Sequence, residues 1–294
     1  MSDSELYGQD SDLQLVAFLR PHLTGQFFID IGAERGSFAA ALLNLGLEGA
    51  CFDPLPAHYK HLQTRFAGAP LRIFPLAVDA SDHAAEFHVA TGADGQDLDY
   101  FHSLNPIGKH DFFQHTKVIP VECRSLASLV EQGELPEGIG VLKVDTEGND
   151  LRVLQGLGEV RPEVVICEFV PPVVYPQWEL AFAANLVPAA AALGYANFVA
   201  VRRVHGTPGE SLDLNPTDLG ANDWGNLVFF RADFWAKVEA PLKEFLQNWV
   251  PPAIESAPAE EPPTVSATPA VENSSPTSAA TVPTSWWEKL LGRK

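Results

Sequence analysis

Two short stretches of this sequence place acidic side chains where apolar runs end and turn residues begin. In FFIDIGAERGSF, residues 27–38, Asp30 closes a β-branched and aromatic run, and Gly32 and Gly36 bracket a turn that leads into helical spacing. In GACFDPLP, Asp53 closes a second apolar run before two prolines. A strand that enters a helix through glycines, followed by an acid at the next strand end, is a pattern for holding a nucleoside. The spacing D-x-G-x-x-x-G is not the G-x-G-x-x-G of dinucleotide enzymes, and Asp30 and Glu34 stand where a pyrophosphate would want no negative charge. A ligand with a positive centre and no phosphate suits these acids better, and S-adenosylmethionine carries a sulfonium and an ammonium. Asp53 follows Asp30 by about 20 residues, the spacing at which an acid reaches ribose hydroxyls. The plainer alternative is a tight βα turn that binds nothing.

The same architecture recurs in IGVLKVDTEGNDLRVLQGL, where a strand ends at Asp145, an acidic turn contains Gly148, and Leu151 and Leu154 face a following helix. VVICEF then ends on Glu168. Ligands of open α/β sheets sit outside the carboxyl ends of the strands, so Asp30, Asp53, Asp145 and Glu168 are expected on one rim. Asp145 is the first candidate to accept a proton from a reacting hydroxyl, with His205, after a later strand, as the second. Asp145 and Glu168 also supply hard oxygen ligands through which Mg²⁺ would acidify such a hydroxyl. Strand-end solvation and complementarity with a helix N-terminus explain the same acids without a metal. Asp79, in the turn after LRIFPLAV, has two readings, as an acceptor for an adenine amino group or as a turn former.

Positioning these residues requires a sheet. Leu13, Val16, Ala17 and Leu23 suggest an N-terminal helix, and helices are expected after each of the first strands, over 178–194 with a break at Pro188, and over 234–249. LRIFPLAV reads as the third strand, and VVICEF, YANFVAVRRV and NLVFFR as later ones, the last two joined by a polar loop over 205–225. Five alternating units followed by two strands without a helix predict an α/β fold with about seven mostly parallel strands, one of them antiparallel, and helices on both faces. Residues 86–90 and 118–123 alternate as a hairpin does. Between them, residues 91–117 read as a lid over the pocket, carrying Tyr100, His102, Ser103, Lys109, His110 and His115, with each histidine taken singly as a solvated loop residue.

With 294 residues, 46% of them hydrophobic and 19% charged, the chain is long enough for one large domain plus an appendage. A formal net charge of -19 argues against nucleic acid as partner, since adjacent basic residues before the terminus are confined to Arg202 and Arg203. Neither a secretory signal nor an apolar run of spanning length is visible, which predicts a cytoplasmic protein without a transmembrane segment. Cys51, Cys123 and Cys167 show no C-x-x-C spacing and read as free thiols. The folded domain is expected over 1–250. Residues 251–285, rich in Pro, Ala, Ser and Thr, read as a disordered linker, and SWWEKLLGRK ends the chain in a short amphipathic peptide, 286–294, that can dock on a protein or membrane surface.

Taken together, FIDIGAERGSF, CFDPLP, HSL at 102–104, LKVDTEGNDLRVLQG and VICEF resemble, in order, the motifs of FkbM-type S-adenosylmethionine-dependent methyltransferases. The resemblance runs from about residue 25 to 231. It implies a class I methyltransferase (Rossmann-like) fold and O-methylation of a hydroxyl on a sugar, glycan or natural product. It also implies that Asp30, Gly32 and Gly36 surround the amino acid part of the cofactor and that Asp53 binds its ribose; Ala33, Glu34, Asp79 and Ser103 complete the expected cofactor site. Glu34 stands where the family often has Asn, Asp53 where it usually has Glu, and Asp150 where Glu is common. The rival functions are an adaptor that keeps the fold and recruits partners through its tail, and a nicotinamide-dependent oxidoreductase, which the glycine spacing disfavours.

Overall fold

The computed structural model describes residues 11–92, 95, 96, 98, 100–106 and 113–251. Lys109, His110, the terminal peptide and all but the first residue of the expected linker lie outside them.

Apolar side chains on both faces make Phe27–Ile31 (β1) a fully buried central strand. It pairs in parallel with Glu48–Phe52 (β2) on one side and Ile139–Val144 (β7) on the other. Leu71–Phe74 (β3) extends the sheet beyond β2, and Val164–Phe169 (β8) extends it beyond β7, both parallel. Past β8 the direction reverses. Asp223–Phe230 (β11) lies antiparallel between β8 and Asn197–Val204 (β9), and Thr207–Leu214 (β10) runs antiparallel along the outside of β9. Among the described residues the main sheet therefore has eight strands in the order β10-β9-β11-β8-β7-β1-β2-β3.

The fold is the α/β arrangement expected, with two corrections to its count. β10 occupies part of the stretch read as a polar loop, so there are eight strands and two of them are antiparallel. LRIFPLAV is also not one strand: Pro75 cannot donate to a ladder, β3 stops before it, and Ala77–Val78 (β4) joins a second sheet. That sheet, in the order β4-β6-β5, contains the expected hairpin in longer form, His83–Gly92 (β5) against Phe113–Arg124 (β6).

Helices cover both faces of the main sheet. Ser11–Leu19 (α1), Ser37–Asn44 (α2), Pro56–Arg65 (α3) and Ala232–Asn248 (α7) contribute to the core that contains Phe28, Val141, Ile166 and Phe230. Leu126–Glu131 (α4), Asp150–Gln155 (α5) and Ala183–Ala192 (α6) cover the opposite face with Ile29, Leu142, Val165 and Phe229. Ser125 caps α4 by accepting from the Ser128 N–H at 3.2 Å. α6 starts later than the spacing predicts, after a 3₁₀ turn at Glu179–Ala181, and continues through Pro188.

Register fixes where the acids go. Ile31, the last residue of β1, lies opposite Phe52 and Val144, and Val144 lies opposite Cys167. Asp53, Asp145 and Glu168, each one residue further on, share the carboxyl-end rim.

Candidate functional site

A cleft of about 700 Å³, counting the part open to solvent, lies at that rim. Its walls come from the turns after β1, β2 and β7, from the start of the second sheet, and from Tyr100, Phe101, His102 and Leu104 of the expected lid. Four carboxylates line it, Glu34, Asp53, Asp145 and Glu147, and no lysine or arginine does among the described residues. Phe52, Leu76, Val78 and Phe87 form an apolar side. A cleft of this size with one apolar wall and acids at the other end suits a small, partly cationic ligand.

Asp53 anchors the second turn. Its Oδ2 accepts from the Glu34 N–H at 2.9 Å and lies 3.1 Å from His58 Nδ1, while its Oδ1 accepts from the Leu55 N–H at 2.9 Å. Glu34 is thus held in the left-handed region at φ +50° by the acid of the neighbouring strand. Gly32 lines the cleft at φ +73°, and a side chain there would meet the Asp145 carbonyl oxygen at 1.8 Å. Its glycine serves the close approach of two strand ends. Gly36 and Ala33 do not line the cleft. Ala33 is buried in the core, and a Cβ on Gly36 would strike Phe66 and Leu62.

Asp30 is not on the surface of the cleft but beneath it, 1% exposed. Neither of its oxygens meets a donor in hydrogen-bond geometry, although the Ala39 N–H lies near enough to favour the charged form. Lys143 is its counter-charge, directly opposite in register with Nζ 3.9 Å from Oδ1. The same ammonium lies 2.8 Å from Asp145 Oδ2 and 5.5 Å from the centre of the Phe38 ring. Burial works against the lysine's charge, but Asp145 and Asp30 hold its pKa above the ordinary value.

Asp79 and Ser103 are turned to other work. Arg152 grips Asp79 through two hydrogen bonds, 2.6 and 3.0 Å, and neither Asp79 nor Ser103 lines the cleft. Ser103 donates to the Glu147 carbonyl at 2.6 Å and accepts from the Asn105 N–H, while Asn105 donates to the Gly148 carbonyl at 2.8 Å. These bonds stitch the lid to the turn after β7. His205 sits at the β9–β10 turn, away from the cleft residues. Of the two residues offered for Mg²⁺, Asp145 already has Lys143 as its counter-charge at 2.8 Å.

Glu147 and His58 are cleft residues that the pattern of the sequence did not single out for the site, and His102 is one that it gave only to the lid. Glu147 sits in the left-handed region at φ +52° and accepts from the N–H of Phe101, itself at φ +68°. Two non-glycine residues in that region, bonded to each other in the cleft wall, mark a site where strain is retained. The signal available was the alternation Lys143-x-Asp145-x-Glu147, which puts three charges at one strand end. The expectation that lid histidines are solvated fails for His102, which is 7% exposed, and for His115, whose Nε2 lies 2.7 Å from the Phe101 carbonyl.

The description Methyltransferase FkbM domain matches residues 30–195, more than half of the chain. The chain belongs to the FkbM methyltransferase family. The match begins at Asp30 and ends at Tyr195, so β9, β10 and β11 lie beyond the matched part. No curated protein sequence matches the chain. Solved structures of similar outline include magnesium protoporphyrin IX methyltransferase from Synechocystis, at 12% identity over 78% of this chain and 84% of that one with a TM-score of 0.40. An O-methyltransferase from Bacillus cereus gives 12% identity, 78% and 86% coverage and a TM-score of 0.40. A tRNA (uracil-54, C5)-methyltransferase from Pyrococcus abyssi gives 9% identity, 75% and 37% coverage and a TM-score of 0.33.

The buried acids of this FkbM domain dictate an unusual pH response. Burial raises Asp30 to about 6 against the pull of Lys143, Asp150 to about 7 against its bonds from Thr146, and Glu147 to about 8 with the Asp145 charge adding to it. The folded chain therefore holds protons that unfolded carboxyls, with pKa roughly 4, have released, so stability falls as pH rises through these values. His102 and His115, lowered mainly by burial, act in the opposite sense, but only below about 6.5. Thermal unfolding of the ligand-free protein should show a higher Tm at pH 6.5 than at pH 8.5. A Tm that holds level or climbs over that window would contradict the assignment.

Proposed function

We propose that this FkbM domain is an S-adenosylmethionine-dependent O-methyltransferase whose acceptor is a hydroxyl on a sugar, glycan or natural product. The observation that carries the reading is the cleft itself, which has four carboxylates and, among the described residues, no lysine or arginine in its lining at the carboxyl ends of parallel strands. A sulfonium and an ammonium gain from such a field, whereas a pyrophosphate is repelled by it. That disfavours the nicotinamide alternative. A net charge of -19 likewise favours a small acceptor over a polyanion.

In this reading Asp53, already fixed by two backbone N–H groups, accepts from the ribose hydroxyls, and the apolar wall at Phe52, Val78 and Phe87 covers the adenine. The turn from Gly32 to Glu34 faces the amino acid part. Bound there, the cofactor supplies an already electrophilic methyl group, so the protein's contribution is alignment and removal of one proton. Asp145 and Glu147 take that role together. Asp145, held in place by Lys143, accepts the hydroxyl proton in its charged form, and Glu147, raised to about 8 by burial and the Asp145 charge, is the stronger base once it is ionised. Lid residues Tyr100, Phe101, His102 and Leu104 close one side of the pocket that receives the acceptor.

Titration calorimetry with S-adenosylmethionine, S-adenosylhomocysteine and NAD is the direct test. Both sulfur nucleosides are expected to bind and NAD is not. Silence with both sulfur nucleosides would leave the adaptor reading, in which the terminal peptide recruits partners. Mass spectrometry of glycans and small molecules from cells with and without the gene then identifies the acceptor by its missing methyl.

A further inference from the structure

We propose that His102 reads the nucleoside, donating its Nε2–H to adenine N3, the ring acceptor that lies nearest the ribose. The inference rests on the S-adenosylmethionine reading above. Three observations lead to it. First, His102 lines the cleft while being 7% exposed, so its ring is a fixed part of the wall. Second, Nδ1 accepts from the Ala90 N–H at 2.9 Å. A backbone N–H can only donate, which leaves the ring hydrogen of the neutral imidazole on Nε2. Third, Nε2 is buried with no partner in full hydrogen-bond geometry among the described residues, although the Leu98 backbone lies near enough to the ring to favour its charged form.

Position then selects the acceptor. The His102 ring packs 6.4 Å from Phe87 on the apolar wall and 5.6 Å from His58, which is held against the ribose acid Asp53. His102 therefore stands at the junction of the base side and the ribose side, where the N3 edge of an adenosine falls. Burial and the neighbouring His58 keep the imidazole neutral, with its pKa lowered to about 4, so it presents one hydrogen and no charge throughout the physiological range. A buried donor without an acceptor is costly, and a ligand that supplies one removes that cost. The antiparallel bridge between His88 and Ser103 fixes the backbone next to the ring.

The test uses calorimetry on the full chain with S-adenosylhomocysteine and its 3-deaza analogue, in which a C–H replaces N3. Wild type should bind S-adenosylhomocysteine about tenfold more tightly than the analogue, the worth of one buried hydrogen bond. His102→Asn should unfold at nearly the wild-type temperature, because Oδ1 of asparagine replaces Nδ1 as acceptor for the Ala90 N–H. It should bind both ligands equally and weakly. His102→Gln places an N–H near the former Nε2 and should recover part of the preference despite a lower Tm. Should either variant not fold, the wild-type comparison and the ¹⁵N shift of His102 Nε2 on adding S-adenosylhomocysteine still decide. Equal wild-type affinity for the two ligands, or a preference that survives in His102→Asn, overturns the contact while leaving the cofactor reading intact. Absence of binding by either ligand overturns both.

Discussion

Lys143→Met will destabilise the protein by about 3–5 kcal/mol at pH 8, the usual cost of leaving a buried charge without its partner. Lys143 is the cation shared by Asp30, at 3.9 Å, and Asp145, at 2.8 Å, and its charge is also felt by Asp150 and Glu168. Methionine keeps most of the stem's volume, so the loss is electrostatic and not a cavity. Two controls separate this from a packing defect. At pH 5, below the value of about 6 at which Asp30 takes up a proton, the deficit should shrink. The double variant Asp30→Asn/Lys143→Met should recover most of the lost stability, since the two residues are coupled directly. Denaturant unfolding at the two pH values measures both, and a Lys143→Met protein within 1 kcal/mol of wild type at pH 8 would refute the role given to the lysine.

The second large effect is expected at Gly32. An alanine there would bring Cβ to 1.8 Å from the Asp145 carbonyl oxygen while the backbone stays at φ +73°, where L side chains are disfavoured. The carbonyl cannot yield cheaply, because the Asp145 N–H is bonded to the Ile31 carbonyl at 3.1 Å and the Gly32 N–H to the Phe52 carbonyl at 3.0 Å. Gly32→Ala should therefore cost more than about 4 kcal/mol or abolish soluble protein. Gly46 supplies the comparison, since it has nearly the same backbone angle, φ +76°, with nothing within 4 Å of a built Cβ. Gly46→Ala should cost only the conformational part, about 1–2 kcal/mol. Equal Tm losses in the two variants would show that the clash is relieved by some movement of the strand end.

Much of this protein was determined locally and could be read in the sequence. Apolar runs ending at Asp30, Asp53, Asp145 and Glu168 become strands because their side chains can be buried on both faces, and glycines after them permit turns that other residues resist. From those strand ends follow the α/β fold, the shared rim and the acidic character of the cleft. Side-chain partners were decided only by tertiary structure. Whether Asp30 faces a ligand or a lysine depends on which strand lies beside β1, and β7, more than a hundred residues later, brings Lys143. Asp79 read equally well as a ligand acceptor or a turn former, until α5 supplied Arg152 to hold both of its oxygens. β10 looked like a loop because an edge strand with polar alternation forms only when its neighbour, β9, offers a ladder. His102 and Glu147 enter the cleft because Ser103 and Asn105 tie the lid to a turn distant in sequence. Strand identity is a property of a few consecutive residues, whereas the partner of a buried charge depends on chain closure over long separations.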